Sequence, residues 1–231
     1  MDRHGVDMQV LSLTSPGIQL QPDPDIAVAD ARNANEFLAG IINEHPTRFA
    51  GLAAIPLQDP PRAAVELRHA IEVGLCGALV NDHTLGHFLD EPQYAPFWET
   101  LQDLDVPLYI HPNAVSSDTW KVVEGYPALD TAMWSWAPRA GGHAMRLIFG
   151  GIFDRYPDAR IILGHMGEFL PFQLSRLDSR CGTHRGDPGS RHRQRDVLDR
   201  LPLRVHGKSG PVHAHRAAGP RRPGASGIRQ R

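Results

Sequence analysis

The fold of this chain is decided by the stretch Pro107-Leu108-Tyr109-Ile110-His111. It is a short, mostly apolar run that opens on proline and closes on histidine, as expected for a buried strand. Its apolar residues do not alternate with charged ones, which is typical of a parallel sheet covered by helices on both faces. Parallel strands need long crossover connections, so the flanking residues should alternate between strands and helices.

That alternation extends in both directions from residue 107. Similar apolar runs predict four more strands, within residues 6–13, 49–55, 77–80 and 160–165. Between them, apolar residues recur at helical spacing over residues 28–42, 59–74 and 94–104. The chain up to residue 166 is therefore predicted to be α/β, with parallel strands joined by helical crossovers. The pattern leaves two architectures open, a barrel and a doubly wound sheet.

A change of composition divides the chain near residue 180. Residues 1–180 carry a net charge of −11, whereas residues 181–231 carry +9 and contain no Glu, Phe, Trp or Tyr. The second part is rich in Arg, Pro, Gly and His without periodicity, so it is predicted to be a disordered basic tail. Two explanations of this tail stay open: a frameshift product of a GC-rich gene, and a genuine tail that binds nucleic acid.

Composition also limits the class of protein. No apolar run approaches the ~20 residues that a membrane span needs, and the first residues lack the basic start and apolar middle of a secretory signal. Two cysteines, Cys76 and Cys181, cannot form a disulfide framework, which favours the reducing cytoplasm. The acidic charge of residues 1–180 disfavours nucleic acid as a partner of that part.

Two histidines stand at the ends of predicted strands. His111 ends residues 107–111 and His165 ends residues 160–165, and the carboxyl ends of parallel strands meet at one edge of the sheet. Imidazole is the commonest protein metal ligand and titrates near neutrality, although a lone strand-end histidine is often structural. Glu168 is expected in the first turn of the next helix. There it either stabilises the helix N-terminus, or it fixes the tautomer of His165 or contacts the substrate.

Five segments, in order along the chain, resemble one known family. They are Val6-Asp7-Met8-Gln9-Val10-Leu11-Ser12-Leu13, Pro56-Leu57-Gln58-Asp59-Pro60, Gly77-Ala78-Leu79-Val80-Asn81, Leu108-Tyr109-Ile110-His111-Pro112 and Ile162-Leu163-Gly164-His165-Met166-Gly167-Glu168. The ordered set is similar to the amidohydrolase-related family. Within it, the set resembles the aminocarboxymuconate-semialdehyde decarboxylase branch, especially the γ-resorcylate and 2,3-dihydroxybenzoate decarboxylases.

The resemblance implies a (β/α)8 TIM barrel with one divalent metal ion, commonly zinc, manganese or magnesium. In that family an acidic or His-x-His pair on the first strand, a His on the fifth and an Asp on the eighth hold the metal. Here the fifth-strand ligand corresponds to His111, and the sixth-strand His and its Glu correspond to His165 and Glu168. Residues 1–180 are therefore expected to form strands two to six of an incomplete barrel. The first strand would precede Met1, and the last two would follow residue 180.

Four further residues are assigned to substrate binding. Asn81 and His83 follow the predicted strand 77–80, at the same sheet edge as His111. Trp136 could line an aromatic pocket, although a bulky residue on a helix more often belongs to the core. Arg176 lies in the helical segment that extends the family resemblance beyond Glu168.

The resemblance implies a metal-dependent carboxy-lyase that decarboxylates a hydroxylated aromatic acid non-oxidatively. In intact members the metal binds the substrate carboxylate and an ortho hydroxyl, and the eighth-strand Asp protonates the ring carbon so that carbon dioxide leaves. Activity is expected to be impaired in this chain, because those ligands and the Asp are not found in residues 1–180. A metal-dependent hydrolase and a non-catalytic fragment stay open as alternatives. The expected partners are a small aromatic carboxylate and further copies of the chain.

Overall fold

The computed structural model describes residues 1–113 and 120–181. Its strands are β1 (Gln9–Leu11), β2 (Phe49–Gly51), β3 (Ala53–Ala54), β4 (Ala78–Asn81), β5 (Pro107–His111) and β6 (Arg160–Leu163). Its helices are α1 (Pro24–Glu44), α2 (Pro60–Glu72), α3 (Ala95–Asp103), α4 (Trp136–Phe149), α5 (Ile152–Arg155), α6 (Gly164–Gly167) and α7 (Leu170–Cys181). The predicted tail, apart from Cys181 at the end of α7, lies outside the described residues.

The helices begin where the sequence provides caps. The carboxylate of Asp23 accepts hydrogen bonds from the first amides of α1, and Asp59 does the same for α2. Each is followed by a proline in the first turn, where a missing N–H costs nothing. The predicted helices over residues 28–42, 59–74 and 94–104 are thereby confirmed as α1, α2 and α3, with ends shifted by a few residues.

All described strand pairs are parallel, as predicted. β1 pairs with β2, and a four-stranded sheet follows in the order β3-β4-β5-β6. The predicted strand 49–55 is divided at Leu52, whose amide donates to the carbonyl of Leu11, whereas the next amide donates to the carbonyl of Gly77. Within each of these two sheets, strands that follow each other in the chain are neighbours. A doubly wound sheet would reverse its strand order at some point, so this order favours the barrel.

Side chains of the strands alternate between two faces of the sheet, one covered by helices and one that carries the polar groups of the candidate site. Ala78, Val80, Leu108, Ile110 and Ile161 lie in the main hydrophobic core beneath the helices. Because side chains on a strand alternate between faces, Asn81, Tyr109 and His111 project toward the opposite, inner face of the curved sheet. The polar groups at the carboxyl ends of β4 and β5 thus share one side of the sheet.

The first strand departs from the predicted burial. Met8 and Val10 are half exposed, although the apolar run predicted a strand buried on both faces. Helix α1 packs on β2 and β3 instead, and within the described ranges no further strand pairs with the other edge of β1. None of the described helices combines the length and the apolar character that a membrane span requires.

Candidate functional site

Three aromatic rings meet at the carboxyl ends of neighbouring strands. His111 ends β5, His165 follows β6, and Trp136 is the first residue of α4. The centroid of the His111 ring lies 5.1 Å from that of His165 and 5.6 Å from that of Trp136, and the Trp136 and His165 centroids are 5.7 Å apart. The two strand-end histidines therefore lie together, as their positions in the sequence predict.

His165 is held by Glu168 in a turn of unusual backbone conformation. The Nδ1 atom of His165 lies 2.7 Å from Oε1 of Glu168, whose side chain is only 4% exposed. The prediction that Glu168 occupies the first turn of a helix is wrong. His165, Met166, Gly167 and Glu168 all have positive φ, and the regular helix α7 begins at Leu170. A non-glycine residue with positive φ costs about 1–3 kcal/mol of conformational energy. Such backbone strain is typical of functional sites.

Burial sets the protonation of this group of residues. Burial raises the pKa of Glu168, an effect that the neighbouring His165 partly offsets. Burial also lowers the pKa of His111, opposed by the backbone of Pro112 and reinforced by His165. His111 therefore favours the neutral imidazole, the form that binds metal. Its buried Nδ1 has no hydrogen-bond partner in the described part of the chain.

Tyr109 forms the floor beneath His111. The two rings stack at a centroid distance of 6.4 Å, and burial together with Glu168 raises the pKa of the Tyr109 phenol. An added Cβ at Gly164 would lie 2.8 Å from the phenol oxygen. Only glycine at position 164 leaves space for this ring, so the residue before His165 is constrained by the floor of the site.

Asn81 borders the same group of rings. It is paired in register with His111, is 1% exposed, and faces the Gln19 side chain, 3.5 Å from its Nδ2 to Oε1. Its Oδ1 atom is buried and makes no hydrogen bond to a described residue. Gln19 also donates from Nε2 to the carbonyl of Ile55, at 3.0 Å. Gly17, at φ +60°, lets this loop approach, since a Cβ there would lie 2.6 Å from Nδ2 of Asn81.

A buried acid–histidine pair lies next to Asn81 and was not foreseen from the sequence. Oδ1 of Asp82 is 3.3 Å from Nδ1 of His143 on α4, and the two side chains are 3% and 0% exposed. The two atoms are in contact but do not meet the geometry of a hydrogen bond. Nε2 of His143 accepts a hydrogen bond from the amide of Leu89. An imidazole that accepts at Nε2 carries its proton at Nδ1, facing the carboxylate. This pair therefore joins the loop after β4 to helix α4.

The structure does not bring His83 and Arg176 to the rings by any described contact. His83 is buried, but its Nδ1 accepts the amide of Gly86, and its ring packs edge-on against Phe88. Arg176 is exposed on α7. The assignment of His83 and Arg176 to substrate binding stays a prediction. The individual roles of the other site residues also stay predictions.

The described residues do not complete a metal site. His111 has a buried, neutral and unpaired nitrogen, which suits a metal ligand. However, residues 1–113 and 120–181 contain no group of three His, Cys, Asp or Glu side chains that could hold a metal ion. Catalytic metals are usually held by three protein ligands. A metal at His111 would therefore need ligands beyond those that these residues supply.

Comparison with known proteins assigns the class. Residues 1–195 match the sequence model of the amidohydrolase family, and the chain belongs to this family. It is 45% identical over 188 residues to a γ-resorcylate decarboxylase of Polaromonas sp. strain JS666, covering 78% of this chain and 57% of that protein. The chain thus spans little more than half the length of this relative.

Solved structures of similar proteins confirm the predicted barrel architecture. A 2,6-dihydroxybenzoate decarboxylase from Rhizobium superposes with a TM-score of 0.76 at 40% identity, covering 81% of this chain and 60% of that one. A dihydroxybenzoic acid decarboxylase from Polaromonas sp. JS666 gives a TM-score of 0.80 at 39% identity, covering 87% of this chain and 63% of that one. The latter contains manganese and the inhibitor 2-nitroresorcinol, which confirms the divalent metal predicted for the family.

Proposed function

We propose that the protein is a metal-dependent carboxy-lyase that removes carbon dioxide non-oxidatively from a hydroxylated aromatic acid. The observation that carries the proposal is the His165–Glu168 pair, set beside the neutral His111 at the carboxyl ends of two neighbouring barrel strands. The dihydroxybenzoate and γ-resorcylate decarboxylases to which the chain is similar support the reaction and its substrate class. They also favour decarboxylation over the hydrolase alternative.

Each residue of the site has a role that follows from its contacts. Glu168 accepts the Nδ1 proton of His165 and orients the ring, so that Nε2 can exchange a proton with a substrate oxygen. The indole of Trp136 provides an apolar wall for an aromatic ring. Oδ1 of Asn81 is a free acceptor for a substrate hydroxyl. We assign His83 and Arg176 to more distant substrate contacts.

The proposal extends to the surroundings of the protein. Cys76 is exposed as a free thiol, which supports a reducing compartment, and we place the protein in the cytoplasm. We expect it to act on a small aromatic carboxylate as a homo-oligomer, without nucleic acid or membrane as a partner.

The function is tested in a chimera, because the chain spans only part of the length of its relatives. Residues 6–177 of this chain replace the corresponding residues of the Polaromonas γ-resorcylate decarboxylase, and carbon dioxide release from 2,6-dihydroxybenzoate is measured with manganese. We expect turnover that falls about 10²–10⁴-fold in His165→Ala, with bound manganese unchanged. His111→Ala should lose manganese. The matched control is His87→Ala, since His87 is exposed and paired with Glu91.

Two results would contradict the proposal. One is a folded, manganese-loaded chimera that releases no carbon dioxide from any dihydroxybenzoate. The other is a His165→Ala chimera with undiminished turnover. The 231-residue chain on its own should show no metal-dependent decarboxylation, because the described residues supply too few ligands. Robust turnover by that chain would place the remaining ligands outside the described residues or in a second subunit.

A further inference from the structure

The first half of α4 has few large side chains that could fix its rotation. Of residues 136–144, only Trp136, Arg139 and His143 are larger than proline, and the others are alanine, glycine or proline. Helices are held against their neighbours mainly by side chains that fit into facing grooves. Arg139 donates to Asp130, which belongs to the segment leading into α4, so this ion pair does not tie the helix to the sheet. His143, 1% exposed, is the largest fully buried side chain of this half.

Both nitrogens of the His143 ring face residues 82–91, the loop after β4. Nε2 accepts a hydrogen bond from the amide of Leu89 at 3.2 Å, and Nδ1 lies 3.3 Å from the carboxylate of Asp82. The indole N–H of Trp98 on α3 donates to the carbonyl of Leu89 at 2.8 Å. His143 therefore links α4 to a loop that is itself bound to α3.

His143 lies on the same face of α4 as Trp136. The two residues are seven positions apart, and residues at this spacing share one face of a helix. A rotation of about 10° around the helix axis moves a ring at the helix surface by about 1 Å. The Trp136 ring lies 5.6 Å from that of His111 and 5.7 Å from that of His165, between centroids. These two contacts are thus sensitive to the rotation of α4.

We propose that His143 is a positioning residue that fixes the rotation of α4 and so keeps the Trp136 ring against His111 and His165. That a substrate ring lies on Trp136 rests on the proposed function, whereas the position of the indole does not. His143 itself touches no reacting group, since its two nitrogens face the loop after β4. The decisive atom is Nε2, because it accepts the amide of Leu89.

Nuclear magnetic resonance of the 231-residue chain, without added metal, tests this positioning apart from turnover. The ring current of Trp136 displaces the Hε1 resonance of His165, and the displacement is measured as the difference from Trp136→Leu. We expect His143→Asn, which keeps a polar group toward Asp82 but lacks an acceptor at the place of Nε2, to lose most of this displacement. His143→Gln should retain it, because its Oε1 can accept the Leu89 amide. The resonance is assigned from its absence in His165→Gln.

A matched control separates the position of the ring from the stability of the fold. Leu67→Ala truncates a fully buried side chain of α2, which packs mainly on α1 and α3, so it should lower the melting temperature and leave the His165 resonance in place. If His143→Asn does not fold by circular dichroism, Asp82→Asn is added to remove the unpaired carboxylate. A retained displacement without the acceptor would overturn the proposal. Equal loss in Leu67→Ala, or in His143→Gln, would overturn it too.

The chimera connects the position of the ring to the reaction. There His143→Asn should lower kcat/KM for 2,6-dihydroxybenzoate about 10–100-fold with manganese content unchanged, since a displacement near 1 Å has effects of this size. Trp136→Leu should add little in that background, because the ring is already displaced. His143→Gln should recover most of the turnover.

Failure of this proposal is distinguishable from failure of the proposed function. A chimera that releases no carbon dioxide would contradict the function, and the resonance of His165 would still decide the role of His143. An active chimera that keeps full turnover in His143→Asn would contradict the role of His143 and leave the decarboxylase standing.

Discussion

Removing His143 should strongly destabilise the fold. His143→Ala leaves the carboxylate of Asp82, 3% exposed, without its partner at 3.3 Å, and leaves the buried amide of Leu89 without an acceptor. Leaving a buried polar group without its partner costs about 1–3 kcal/mol, and truncating a buried side chain adds the cost of a cavity. We therefore expect the free energy of unfolding to fall by about 2–4 kcal/mol. The measurement is urea unfolding followed by circular dichroism, with an unchanged m-value as evidence that the denatured state is unaffected.

A second substitution isolates the charge. Asp82→Asn keeps the shape and tolerates the left-handed backbone at φ 57°, so alone it should cost about 1 kcal/mol. In the His143→Ala background the same change removes an unpaired buried charge and should recover stability, giving a coupling of about 1–3 kcal/mol. His69→Ala is the control, a partly exposed histidine paired with Glu36, and should cost less than about 1 kcal/mol. A loss below about 1 kcal/mol in His143→Ala, or additive effects in the double variant, would refute this account.

Three other substitutions test the backbone, the floor of the site and the burial of a phenol. Met166→Gly should raise the free energy of unfolding by about 0.5–1 kcal/mol, because Met166 has a φ of 62° and its exposed side chain loses little packing. A loss of stability would show that the backbone at Met166 is not strained. Gly164→Ala should displace the Tyr109 ring and lower the free energy of unfolding by about 1–3 kcal/mol, measured by thermal unfolding. The control is Gly142→Ala in α4, where a Cβ meets nothing within 4 Å, and it should be neutral or stabilising. Burial raises the pKa of Tyr94 above its ordinary value of 10.0. The contribution of the protonated Tyr94 phenol to stability is therefore complete below pH 10.0 and is lost as the pH rises through the raised pKa. Tyr94→Phe should therefore flatten the alkaline decline of the melting temperature, and identical profiles would rule this out.

Local patterns were sufficient to predict the scaffold. The apolar run ending at His111 and the similar run ending at His165 predicted two adjacent strands with both imidazoles at one edge. Proline and aspartate at the start of α2 marked its first turn. These signals act over a few residues, so a single sequence contains them in full.

The remaining features depend on contacts between distant residues. Asp82 and His143 are 61 positions apart in the sequence, and Gln19 and Asn81 are 62 positions apart. No local spacing therefore predicts either pair. The left-handed turn from His165 to Glu168 was missed because Met166 and Glu168 are residue types that rarely adopt positive φ. There the tertiary structure imposes a conformation that propensity alone would reject.

The change of strand partner at Leu52 divides the hydrogen bonds of β1 from those of the sheet that begins at β3. β1 is hydrogen-bonded to residues 48–52, whereas the sheet from β3 onward is held by other hydrogen bonds. β1 can therefore detach without breaking the hydrogen bonds within that sheet. The loop that carries Gln19 over Asn81 follows directly from β1. Fraying of β1 would therefore loosen the loop whose Gln19 side chain meets Asn81. Amide exchange should be fast along residues 9–11 and slow in β4 and β5.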